Sequence, residues 1–124
     1  MASIQINNKT IKSKSAYYSS VSAIKLNQQN ADQLVKLFLK EYPASLHRKN
    51  AYFNLANYYF KNKKYSEALK WYGKIHENSL TILEEESLSF HKGYSFFMNK
   101  QYAEAKIAFN KLLNSKKYGP QAKY

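Results

Sequence analysis

Residues 50–75 read NAYFNLANYYFKNKKYSEALKWYGKI, and residues 87–112 read SLSFHKGYSFFMNKQYAEAKIAFNKL. The two stretches carry the same kinds of residue in register, each pair lying 37 positions apart. The matched pairs include Phe53 with Phe90, Tyr59 with Phe96, Tyr65 with Tyr102, Glu67 with Glu104, Ala68 with Ala105 and Tyr72 with Phe109. A fixed spacing of this size is typical of proteins built from stacked small units, so the period decides the architecture.

A weaker third copy precedes these two. Ala31 lies 37 residues before Ala68, and Val35 and Phe38 stand where Tyr72 and Ile75 stand in the next unit. The period therefore predicts about three units.

Each unit contains two segments in which apolar residues recur at steps of three and four, which places them on one face of a helix. In the middle unit the first segment includes Ala51, Leu55 and Tyr59, and the second includes Ala68 and Tyr72. Lys61–Lys64 interrupts the pattern between them. Small residues within each helix would let two backbones approach closely, and the aromatic side chains would fill the remaining volume. These small residues are Ala56 and Ala68 in one unit and Gly93 and Ala105 in the next. The pattern predicts an all-α fold, an α-α solenoid of helical hairpins.

Composition agrees with a folded helical domain. The chain has 124 residues, enough for one domain with a modest core, and 44% of them are hydrophobic and 16% aromatic. Disordered segments are poor in aromatic residues. With three glycines and two prolines, the chain has little material for the tight turns of β-structure. No stretch approaches 18 uninterrupted apolar residues, so no transmembrane segment is predicted.

The formal net charge of +12 comes almost entirely from lysine, since Arg48 is the sole arginine. The lysines are spread along the whole chain. A solvated lysine surface is the favoured interpretation, because net charge alone supports only non-specific contact with nucleic acid. The alternative function is a lysine-rich helical module that binds nucleic acid. Lysines gathered on one face with aromatic residues between them would favour it.

The sequence contains no arrangement of residues that is typical of a catalytic site. Cysteine is absent, which excludes thiolate nucleophiles and thiolate metal sites. Glu84–Glu86 form the one acidic cluster, and they open a predicted helix, where negative charge favourably opposes the helix dipole. His47, His76 and His91 show no metal-binding spacing, and no nucleophile motif or phosphate-binding glycine loop occurs. We therefore predict no enzyme activity, no catalytic residue, no metal site and no cofactor.

The residues that repeat resemble the tetratricopeptide repeat (TPR) signature. Tyr52, Leu55, Ala56 and Tyr59, followed by Ala68 and Tyr72, match its bulky-x2-Leu-Gly/Ala-x2-Tyr and Ala-x3-Phe/Tyr pattern. The next copy fits at Gly93, Phe96, Ala105 and Phe109, but Lys92 stands where the family has leucine. The period exceeds the 34 residues usual in the family, so we expect a longer connection near residues 78–83.

The resemblance implies a protein-binding scaffold whose first helices line a concave groove. Carried over to this chain, the family's groove positions are Asn50, Phe53, Asn57, Phe60 and Lys61 from one hairpin and Ser87, Phe90, Tyr94, Phe97 and Met98 from the next. Members that clamp a peptide carboxylate use basic residues there, and Phe53 and Phe90 replace a basic position. An aromatic groove for an extended or helical protein segment fits better. The other interpretation, that Phe53 and Phe90 are packing residues between repeats, stays open.

Residues 37–45, reading LFLKEYPAS, resemble bacterial cell-envelope TPR proteins, and the whole stretch is similar to long, lysine- and tyrosine-rich TPR proteins of the Bacteroidetes. That resemblance implies the periplasm or cell envelope, with the cytoplasm as the other location. The first residues lack the layout of a signal peptide.

The predicted hairpins span residues 13–43, 47–77 and 82–116, preceded by a flexible leader at 1–12 and followed at 118–124 by the start of a further helix. A solenoid without a polar cap exposes an apolar face. We therefore expect a fragment of a longer array, with weak self-association through the C-terminal end near Tyr118 and Tyr124.

Overall fold

The computed structural model describes the backbone of residues 2–115 and the side chains of residues 9–115. Over this range the chain forms helices and connecting turns, with no strand. The helices are α1 (Ala2–Lys25), α2 (Ala31–Glu41), α3 (Arg48–Lys61), α4 (Tyr65–Tyr72), α5 (Ile82–Met98) and α6 (Tyr102–Asn110), with a short 3-10 turn at Glu77–Ser79. The all-α prediction is confirmed.

The chain divides into two compact units, residues 1–58 and 59–124. In the first unit, α1 packs against α2. Ala31, Val35 and Phe38 lie on one face of α2 and are buried, at 0%, 0% and 2% exposed. Tyr17 of α1 packs against this face, with its ring centroid 5.7 Å from that of Phe38. The core of the first unit is therefore the apolar face that the spacing of the weaker third copy predicts.

In the second unit, α5 packs against both α4 and α6. Ala68 and Ala105, the alanines that define the period, are 0% and 3% exposed. Gly93 of α5 faces the ring of Phe109, and a Cβ added there would lie 2.7 Å from Cε1 of that ring. The small residues therefore mark the places where the helices approach one another most closely.

The helices α1, α3 and α5, each the first of a pair, end in the same way. The helix closes with a pair of backbone hydrogen bonds around one residue in the left-handed region, which is the Schellman motif. Asn27, Lys63 and Lys100 occupy this position, with φ of 52°, 62° and 64°. Around Lys63, the N–H of Lys64 donates to the carbonyl of Tyr59 at 2.8 Å, and Gln101 donates to Phe96 at the same distance one period later. The repeat is thus reproduced in the backbone as well as in the side chains.

The helix α5 begins at a well-defined cap. Thr81 accepts a hydrogen bond from the backbone N–H of Glu84 at 3.2 Å, and the Glu84 carboxylate accepts one from the backbone N–H of Thr81 at 3.0 Å. This reciprocal pair is a capping box. Glu84 and Glu85 lie in the first turn of α5. The acidic cluster therefore has the structural role that the sequence predicts for it.

At the N-terminal end, the structure differs from the expected leader. Residues 1–12 are expected to be irregular, yet α1 begins at Ala2 and runs without a break to Lys25. No glycine or proline occurs in this segment, so nothing in it ends a helix once one has formed.

Other boundaries can be compared in part. The connection between α4 and α5 includes the 3-10 turn at Glu77–Ser79, close to where the longer connection is expected. The expected further helix at 118–124 lies outside the described residues.

Candidate functional site

The ten residues predicted to line a groove differ in their exposure. Asn50, Asn57 and Lys61 on α3 and Tyr94, Phe97 and Met98 on α5 are exposed, whereas Phe53, Phe60, Ser87 and Phe90 are half-buried. Asn50, Phe53 and Asn57 belong to the first unit, and the other seven belong to the second. The site described below is a surface of the second unit.

Three of the predicted residues meet in one aromatic cluster. The ring centroid of Phe60 lies 5.3 Å from that of Tyr94, and Phe90 lies 6.4 Å from Tyr94. His91 contacts both phenylalanines, at 4.7 Å from Phe60 and 5.4 Å from Phe90. Phe60 and Phe90 therefore pack as well as face outward, which explains why each is only half-buried.

A second aromatic pair adjoins this cluster. Phe97 follows Tyr94 by three residues on α5, so the two side chains are neighbours on the helix surface. Phe97 contacts Tyr102 of α6 edge to face, with ring centroids 5.3 Å apart. These two rings are 52% and 57% exposed, and Met98, the next residue after Phe97, is 45% exposed. Large apolar side chains gathered at such exposure can bind an apolar side chain of a partner.

Tyr65, which the sequence analysis pairs with Tyr102 but does not place in the groove, also belongs to the cluster. Tyr65 lies 5.7 Å from Phe60 and 5.9 Å from Tyr94, between ring centroids. Its hydroxyl has a pKa raised above the ordinary value by burial, with a smaller contribution from Tyr94. Tyr65 occupies the same place in the repeat as Tyr102. That equivalence is the signal that could have found it.

His91 is held in place by its own helix. Its Nδ1 lies 2.7 Å from the backbone carbonyl oxygen of Ser87. Because a carbonyl oxygen only accepts, Nδ1 carries the proton and donates this bond. The ring is thereby oriented against Phe60 and Phe90, so we interpret His91 as a packing residue of the cluster. No spacing motif in the sequence marks it for this role.

We call a set of six rings in the second unit the aromatic surface. They are Phe60, Tyr65, Phe90, Tyr94, Phe97 and Tyr102.

Four exposed lysines border the aromatic surface. Lys61 is the last residue of α3, Lys63 and Lys64 lie in the turn that follows it, and Lys100 lies in the turn between α5 and α6. A hydrogen bond at 3.0 Å runs from Nδ2 of Asn99, just after α5, to Oγ of Ser66, in the first turn of α4. We call these four lysines the lysine edge. Each lies within two residues of one of the six rings in sequence, so positive charge accompanies the rings along the chain.

The most exposed rings of the aromatic surface, Phe97 and Tyr102, are open to solvent. A cleft of about 490 Å³ in the second unit is lined by other residues, among them Glu77, Glu86, Leu88 and Lys111. None of the six rings lines it. The geometry at the aromatic surface therefore fits contact with an extended or helical segment better than enclosure of a small molecule.

Within residues 2–115 the structure brings together no group of three or more side chains that could hold a metal ion. Among those same residues, no helix has both the length and the hydropathy needed to cross a bilayer.

Comparison with known families identifies the repeat. Residues 50–79 and residues 86–115 each match a family model described as the tetratricopeptide repeat. Two segments of the chain therefore match tetratricopeptide repeat models, in the same two units that the 37-residue period relates. Repeats of this kind generally mediate protein–protein interaction. No curated protein and no solved structure matches the chain.

Proposed function

We propose that this chain is a non-catalytic scaffold that binds a protein or peptide segment through the aromatic surface. The observation that carries the proposal is the exposed pair Phe97 and Tyr102, which continues the cluster around Phe60 and Tyr94. Aromatic side chains are enriched among the residues that dominate protein interfaces, because they bury a large area at low entropic cost. The family match supports the same class of function.

A selection from random 12-residue peptides displayed on phage tests the proposal directly. The wild-type chain should enrich specific peptides, and a Phe97→Ser, Tyr102→Ser double variant should bind them at least about tenfold more weakly. The matched control replaces Leu46 and Leu83, which are 97% and 73% exposed and lie outside the aromatic surface, with serine. It should bind like the wild type.

All four replaced side chains are exposed, so both variants should remain folded. Melting curves check this. If no peptide is enriched, or if the control variant loses binding as much as the double variant, the proposal is wrong.

Nucleic-acid binding is the second candidate function, because the lysine edge gathers positive charge beside aromatic rings. Electrophoretic shift of random DNA and RNA across a salt series tests it. Binding that persists at physiological salt and is lost when the lysine edge is neutralised would favour this function. Absence of binding at physiological salt would remove it.

A further inference from the structure

We infer that the segment bound at the aromatic surface is acidic, with an apolar anchor side chain flanked by Asp or Glu. The inference rests on the proposed function, which it deepens by naming the chemistry of the partner. The observation behind it is the juxtaposition of the lysine edge with the six rings.

The lysines are interleaved with the rings along the chain. Lys61 directly follows Phe60, Lys64 directly precedes Tyr65, and Lys100 lies in the turn between Phe97 and Tyr102. The ring contacts between Phe60 and Tyr65 and between Phe97 and Tyr102 therefore each span a lysine-bearing turn. An apolar side chain resting on these rings would place its neighbours in sequence close to the ammonium groups.

The charge at this edge has one sign. Residues 60–66 and 97–103 contain no aspartate or glutamate. The nearest carboxylates along the chain are Glu67 and Glu104, both exposed and both in the first turn of a second helix. They interrupt the run of lysines at the start of each second helix. Charge complementarity therefore selects a short acidic segment.

The presence of Glu67 and Glu104 beside these lysines argues against a nucleic-acid strand as the partner. A phosphate backbone presents negative charge at regular intervals and needs a continuous positive track. Here Glu67 and Glu104 flank the lysines, and Phe60, Tyr65 and Tyr94 contact one another edge to face or tilted, so they do not form an open stacking platform. A short acidic peptide needs neither a continuous positive track nor a stacking platform.

The test uses the phage-selected peptides and a variant of the lysine edge. The peptides enriched by the wild-type chain should carry one or two apolar side chains and an excess of Asp and Glu. The variant is Lys61→Gln, Lys63→Asn, Lys64→Gln and Lys100→Asn, with asparagine chosen at the two left-handed positions because it tolerates that conformation. Its affinity for those peptides should fall about tenfold, because each exposed charge contributes a modest amount. Wild-type binding should weaken as salt is raised.

The control removes four exposed lysines from the first unit, by Lys12→Gln, Lys14→Gln, Lys25→Gln and Lys40→Gln. The loss of net charge is equal, so long-range attraction changes equally and only the local contact differs. This control should bind the peptides nearly as well as the wild type.

The two proposals fail differently. If the enriched peptides show no excess of acidic residues, or if the lysine-edge variant binds like its control, the partner is not acidic. The scaffold function then still stands, provided that Phe97→Ser, Tyr102→Ser abolishes binding. If the lysine-edge variant loses affinity for a random single-stranded DNA and keeps its affinity for the peptides, the edge serves nucleic acid and the inference is wrong. If no peptide is enriched, both proposals are wrong.

Discussion

At the scale of single residues, Ser95 is a polar side chain buried on a helix without a hydrogen bond to the described part of the chain. The side chain is 0% exposed on α5, and its Oγ has no hydrogen-bond partner among residues 9–115. A buried hydroxyl without a partner costs free energy because its bonds to water are lost and not replaced.

We therefore expect Ser95→Ala to stabilise the protein by about 1 kcal/mol or more. Part of that gain is the higher helix propensity of alanine. Ser22→Ala, at an exposed position of α1, measures that part alone. Urea unfolding of both variants gives the comparison. A Ser95→Ala gain no larger than that of Ser22→Ala would show that the hydroxyl is satisfied.

Tyr72 links stability to pH. It is 1% exposed, and its burial raises the pKa of its hydroxyl well above the ordinary value of about 10. Burial also raises the pKa of Tyr17. In the unfolded chain these hydroxyls ionise near their ordinary pKa, whereas the folded protein keeps them neutral. The unfolded state is thus stabilised as the pH rises above about 10.

The free energy of unfolding should therefore fall as the pH is raised from 9 towards 12, because the folded protein retains tyrosine protons that the unfolded chain releases. Tyr72→Phe should show a shallower fall than the wild type. Lysine deprotonation affects both proteins equally, so the difference between their slopes isolates Tyr72. Parallel slopes would contradict the assignment.

At the scale of helices, close packing depends on the alanines that define the period. Ala105 of α6 is buried, whereas Ala103 of the same helix is exposed. Ala105→Trp should destabilise the protein by about 1–3 kcal/mol or more through overpacking. Ala103→Trp should change the stability by less than about 0.5 kcal/mol. Thermal melting of the pair tests the register of the hairpin, and equal melting temperatures would show that the register is wrong.

The turns between paired helices carry a local strain. Lys63 and Lys100 adopt left-handed conformations, which cost a residue with a Cβ roughly 1 kcal/mol. Lys63→Gly and Lys100→Gly should each stabilise the protein by about 0.5–1 kcal/mol, after allowance for the greater freedom of glycine when unfolded. Lys61→Gly, at a helical position, should instead destabilise it by about 1 kcal/mol. Chemical denaturation of the three variants checks the opposite signs.

At the scale of the whole molecule, exposed apolar side chains remain near the end of the described chain. Ile107 on α6 and Leu113 just beyond it are 63% and 41% exposed. We expect weak self-association through these residues at millimolar concentration. Sedimentation should show that Ile107→Ser, Leu113→Ser reduces it. Leu34→Ser, Leu37→Ser, with similar exposure in the first unit, should leave it unchanged. A monomeric wild type under these conditions would contradict the expectation.

The periodic spacing of apolar residues by itself determined the fold class. Ala31, Ala68 and Ala105, 37 residues apart in each step, are all buried, because one helical face must be removed from water wherever apolar residues recur every three to four positions. The matching left-handed turns at Lys63 and Lys100 follow from the same repetition, although no glycine marks them. Local spacing carries this information, because the residues of a helix themselves set which of its faces is apolar.

Only the tertiary structure decided which residues form the candidate site. The sequence placed Phe60, Phe90 and Tyr94 on helix faces, but their contacts with Tyr65 and His91 depend on how α4, α5 and the end of α3 pack together. The hydrogen bond from Asn99 to Ser66 likewise connects the end of α5 with the start of α4, at positions 33 residues apart. The sequence showed only lysines scattered along the chain. Proximity between distant segments comes from packing, so residue spacing within one helix cannot reveal it.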